Sequence, residues 1–263
     1  SNKAALRGDF AQAAKEVLDH AVTLYKTQVT SEKAYPDKLT ERTWAKTAWK
    51  QAAIELDIPL KYHRSIIPLI TRYSWHLRSE LKGAARSAVE GAYGFKPAAP
   101  DDIEWIEYNK ARATALLTNN AFAYEDPNTD KGLYQVYIIQ AVINRVYYKG
   151  PEDDGVKHDD VYRPFPLKGL ALVLTAIHCA IQEWETGMFS NVKFDQNGYS
   201  RIYDRHVADL GSFRYKTRQH KVLEKICTKI SERGRAHAKA PVENYTALGG
   251  ISEEQMDRAV AAY

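Results

Sequence analysis

Apolar residues in the first third of the chain recur at intervals of three and four. Phe10, Ala13, Ala14, Val17, Leu18, Ala21, Leu24 and Tyr25 fall on one stripe of a 3.6-residue period, which predicts an amphipathic helix over 9–28. A polar stretch with Pro36 follows. Thr40 then has the chemistry of an N-cap, before a face made by Trp44, Ala45, Ala48, Trp49, Ala52 and Leu56 that must end before Pro59. Leu60 to Tyr93 keeps the helical period, but a proline inside a helix removes a donor and clashes with the preceding turn. Pro68 therefore predicts a short helix over 62–71 and a longer one over 73–92, stopped by Gly94 and Pro97. Asp101 and Asp102 open the next helix, which Ile103, Ile106, Ala113, Leu116 and Leu117 carry to about residue 118.

Turn residues from Asp126 to Gly132 separate this half from a mostly apolar helix at 134–148. That segment is the place where a strand competes best, because Tyr, Ile and Val favour both states. An acidic loop over 149–165 leads to the least polar run of the chain, Leu170 to Ile181. Apolar on nearly every side, residues 167–186 read as the buried central helix. Two more helices are predicted at 195–210 and 214–239, joined around Gly211-Ser212, and Ser252 with Gln255 has capping-box spacing for a short terminal helix. The expectation is an all-α single domain over 9–239, with about eight or nine helices. A disordered or expression-derived leader over 1–8 precedes it, and a mobile loop and helix over 240–263 follow.

Composition agrees. Gly 14 and Pro 10 in 263 residues are fewer breakers than average usage, which favours helix. No apolar run approaches the roughly 18 residues needed to cross a bilayer, and two cysteines cannot build a disulfide framework, so an intracellular setting, nuclear or cytoplasmic, is expected.

The search for reactive chemistry yields little. Asp126, Asn128 and Asp130 have the opening spacing of a calcium loop, but Lys131 replaces its turn glycine and Tyr137 its closing carboxylate. His178 and Cys179 are adjacent, hence about 100° apart on a helix. Asp153-Asp154 and Asp159-Asp160 read as charged loop residues. Phosphate-cradle, dinucleotide, serine-elbow and zinc-protease motifs do not occur. No metal, cofactor or catalytic residue is assigned.

Charge placement is more informative. Residues 42–87 carry nine cations against three anions, and residues 214–239 carry nine against two, in a chain whose net charge is +4. Arg78, Lys82 and Arg86 are spaced by four, as are Lys221, Lys225, Lys229 and Arg233. Each set forms a ridge along one helical face. These eight basic residues, counting Arg72, are the expected phosphate contacts of a non-enzymatic DNA- or RNA-interacting domain, supported by His63, Tyr73, Trp75 and His76 nearby. The alternative is a protein-interaction scaffold whose basic faces meet an acidic partner or another copy. The third reading is an enzyme in which Tyr124, Asp126, Tyr134 or His178 converge. No membrane partner is expected.

Several local patterns follow one another along the chain: Trp44 with Ala45, Ala48 and Trp49; Ile66 to Arg72 followed by Arg78 and Lys82; Tyr93-Gly94-Phe95; Phe122 to Pro127; Gly132 to Tyr134; Ala171 to Ala180; and Glu183-Trp184 with Gly187. In this the chain resembles an uncharacterised helical domain family widespread in mushroom-forming basidiomycete fungi, over nearly its whole length to His237. The resemblance implies a fungal, intracellular, all-helical domain and brings no activity or binding site with it.

Overall fold

The computed structural model describes residues 10–240, together with Gly8, Arg258 and Val260. Among the described residues there are ten α-helices and no strand, only an isolated bridge between Asp126 and Lys131. The helices are α1 (Gln12–Ser31), α2 (Lys38–Glu55), α3 (Ile67–Tyr93), α4 (Ile103–Leu117), α5 (Tyr137–Tyr147), α6 (Asp154–Lys157), α7 (Asp159–Tyr162), α8 (Leu167–Gln182), α9 (Gln196–Lys216) and α10 (Val222–His237). The expected terminal helix after Ser252 and most of the leader lie outside the described residues.

Several boundaries differ from expectation: α1 is shifted three residues later than 9–28, α5 is shorter than 134–148, and α8 ends at Gln182 rather than 186. Pro68 falls in the first turn of α3, where its missing N–H has no intrahelical acceptor to lose, so one 27-residue helix replaces the expected pair. The preceding turn at 64–66 is a short 3-10 helix whose start His63 caps by accepting from the Ser65 N–H. α2 is capped by Asp37 rather than Thr40. Its carboxylate accepts from the N–H groups of Leu39 and Thr40, and the Thr40 hydroxyl donates to it as well. α9 runs straight through Gly211-Ser212 to Lys216, and the break falls at 217–221, where Lys221 takes a left-handed φ of 49°. The acidic loop holds two single-turn helices, α6 and α7.

The core is built on α8. Every residue from Gly169 to Ile181 except His178 is buried, and the helix packs against α1, α3, α4, α5 and α9. α2 lies on α1 and α3, while α10 covers α5, α6 and α9. α10 approaches so closely that a Cβ on Gly234 would stand 2.5 Å from the Tyr148 ring. No helix of the described residues is long and apolar enough to cross a membrane.

Candidate nucleic-acid interface

The α3 ridge does line up, but its polar ends turn into the protein. Arg86 makes a bidentate contact with Glu183, Nε to Oε2 at 2.8 Å and Nη2 to Oε1 at 2.6 Å, and Lys82 Nζ reaches the same Oε1 at 2.9 Å. Lys82 also donates to the Val192 carbonyl and to Asn191. The Glu183 side chain has no exposed surface. Burial would raise its pKa, but the donors from Arg86, Lys82 and the Val192 N–H outweigh it and hold the carboxyl below its ordinary value. One turn earlier, Arg78 donates to the Ala34 carbonyl at 3.0 Å and lies 5.1 Å from the Tyr35 ring centre. Three cations meant for phosphate thus clamp α3 to the end of α8, the 188–194 segment and the α1–α2 connection. Arg72 is the exception: it is exposed, beside Tyr73.

The α10 ridge is free. Lys225, Lys229 and Arg233 are exposed on successive turns, and no ion pair involves them among the described residues. Lys221 is exposed as well but sits at the N-cap, outside the helix. Elsewhere in the 214–239 stretch, Arg214 and Arg235 are already committed, to Glu224 and Asp159 respectively, each at 2.8 Å.

A third basic surface escaped sequence reasoning. Lys38, Arg42, Lys46 and Lys50 are spaced by four on α2, and all are exposed. The spacing by four is present in the sequence, on the helix that carries the Trp44 and Trp49 face. Lys46 lies 5.9 Å from the ring centre of Tyr62, which brings the 58–66 segment alongside α2. On the first turns of α3, Arg72, Trp75 and His76 share one exposed face. Trp75 is 59% exposed and its ring stands 4.8 Å from that of His76.

The residues of the enzymatic reading are partly brought together. Tyr124 and Tyr134 line one cleft, and His178 lines a lobe that shares four residues with it. Asp126 is spent on its own turn, accepting from the Asn128 N–H and the Thr129 hydroxyl. No nucleophile beside a base completes a catalytic set among these residues.

No curated protein and no solved structure matches the chain. Residues 20–213, from α1 into α9, match the model of a family described as a domain of unknown function (DUF6532), and the chain belongs to that family.

Proposed function

We propose that this domain binds nucleic acid without catalysis, through exposed cationic helix faces, with Lys225, Lys229 and Arg233 as phosphate contacts and Lys221 beside them. The observation that carries the reading is that Lys225, Lys229 and Arg233 are exposed with no ion pair among the described residues, whereas Arg78, Lys82 and Arg86 of α3 are engaged by a carbonyl or by Glu183. A row of cations one helical turn apart, about 5.4 Å, can follow a phosphate backbone and release its counterions. The face formed by Arg72, Trp75 and His76 adds a stacking platform suited to unpaired bases.

The test is binding to random-sequence duplex and single-stranded DNA across a salt series. Each phosphate contact on duplex contributes about 0.9 to the slope of log affinity against log salt. Changing Lys225, Lys229 and Arg233 together to Gln is therefore expected to lower that slope by up to about 2.7, with stability moving by no more than about 0.5 kcal/mol. Absence of salt-sensitive binding by the unaltered protein refutes the reading.

A protein-interaction scaffold is the second reading, and one observation favours it. Trp105 and Tyr108 on α4 are 40% and 41% exposed with ring centres 5.8 Å apart, an aromatic pair that suits a protein partner better than phosphate.

A further inference from the structure

A polar concavity lies between α9 and the segment that joins α4 to α5. Asn119 and Asn120 hold left-handed φ angles of 53° and 55°, a conformation Asn tolerates better than most residues. The chain folded there lines a cleft of about 330 Å³ with Tyr124, Tyr134, Arg205, His206, Asp209 and Lys216. A second lobe of about 230 Å³ shares Asn119, Asn120, Arg205 and His206 and adds His178. Phe213 contributes an apolar wall, its ring edge-on to Tyr134 at 5.6 Å.

Three features give this cleft a chemical preference. First, Arg205 and Lys216 are exposed at its lining with no ion pair among the described residues, while Asp209 is met by the Asn120 amide at 3.5 Å. The fixed charge is cationic by one. Second, His206 is 3% exposed and its Nε2 has no hydrogen-bond partner, as is true of Nδ1 on His178, whose ring stands 6.0 Å away. Two orphaned imidazole nitrogens at one place are costly unless a ligand or solvent satisfies them. Third, the walls are aromatic and aliphatic, and the volume is at the low end for small-molecule sites.

We propose that this cleft binds a small organic anion, a phosphomonoester or carboxylate joined to a ring-sized apolar body, with its anionic oxygens on Arg205 and Lys216, its body between Tyr124, Tyr134 and Phe213, and a polar group toward His206. Phosphomonoester and carboxylate share the same anionic-oxygen chemistry. Separate titrations distinguish them. This ligand site is independent of the nucleic-acid reading, because none of its cations belongs to the α10 ridge.

The experiment is a ligand-observed NMR titration of the full chain with phenyl phosphate, benzoate and inorganic phosphate, with the His206 ring signals followed in parallel. Saturable binding of phenyl phosphate or benzoate is expected, near a Kd of about 1 mM or tighter, together with a shift of the His206 signals. The double change Arg205→Gln with Lys216→Gln removes two charge-assisted contacts and is expected to weaken binding about tenfold or more. Both residues are exposed, so the fold should survive. Ser212→Trp, at another exposed lining position, fills the cleft while keeping the cations, and should abolish binding. The proposal is overturned if neither organic probe binds the unaltered protein, or if both variants bind as it does. It also fails if inorganic phosphate binds as tightly as phenyl phosphate.

Discussion

Glu183 follows the last residue of α8 and is enclosed by Arg86, Lys82 and the Val192 N–H. Removing one partner of such a buried cluster leaves charge without compensation, which costs about 3–5 kcal/mol. Glu183→Gln is expected to approach the lower end, since Arg86 keeps some contact with water, and urea denaturation measures it. Because the folded pKa is depressed, the carboxylate stabilises fully above its unfolded value of roughly 4.3 and loses that contribution as pH falls through the lower folded value. The buried histidines act in a different window. Desolvation pushes His178 down to about 4, and desolvation with the neighbouring His178 pushes His206 down to about 3. Both are neutral in the fold, while the unfolded chain protonates near 6.5. Their contribution is complete above that value and falls away as pH drops below it, so stability should begin to decline below about pH 6.5, ahead of the loss of the Glu183 contribution near its lower folded value. Ring NMR signals of His206 that titrate near 6.5 in the native protein would contradict this.

The helices that carry most of the core are also those whose patterns were easiest to read. The expected helix 167–186 is nearly all apolar in its central run; α8 ends at Gln182, and from 169 to 181 only His178 is not buried. Leu172→Asp should accordingly cost several kcal/mol by burying an unpaired charge, visible as lost soluble yield and a collapsed denaturation midpoint. Gly234 gives a less obvious expectation. Ala normally stabilises a helix interior by roughly 0.5–1 kcal/mol over Gly, yet a Cβ here would strike Tyr148, so Gly234→Ala is expected to destabilise by about 1–3 kcal/mol, measured by thermal unfolding. Periodicity showed which faces are apolar, and hence the all-helical core. It could not show where Pro68 falls relative to a helix start, nor that Asp37 rather than Thr40 caps α2, because both depend on one residue of phase. The site was less legible still. Spacing by four placed Arg78, Lys82 and Arg86 on one ridge correctly, but Glu183 lies about a hundred residues away in sequence, and only tertiary packing brings the two together. The same distance in sequence hid the cleft, assembled from Asn119 and Tyr134 on the connection between α4 and α5 and His206 on α9.

Across the whole molecule, the basic excess of residues 42–87 and 214–239 resolves into two populations with different fates. Arg78, Lys82, Arg86, Arg214 and Arg235 hold the fold together through carbonyls and carboxylates. The exposed rows on α2 and α10 remain available, and α10 lies beyond the residues matched by the family model. The exposed start of α3 is a further free surface, and it differs from α10 in chemistry. α10 presents charge alone, whereas α3 beside Arg72 presents the exposed Trp75 ring as well. Stacking on an aromatic ring contributes about 1–3 kcal/mol per base and requires an unpaired base, while phosphate contacts serve duplex and single strand alike. On the nucleic-acid proposal, Trp75→Ala is expected to weaken single-stranded DNA binding by about that amount and to leave duplex affinity within about 0.5 kcal/mol, while the triple change on α10 weakens both. Fluorescence titration supplies the check, since Trp75 quenching should follow the single strand only. If Trp75→Ala lowers duplex and single-strand affinity equally, stacking at α3 is ruled out and the bound nucleic acid is held by charge alone.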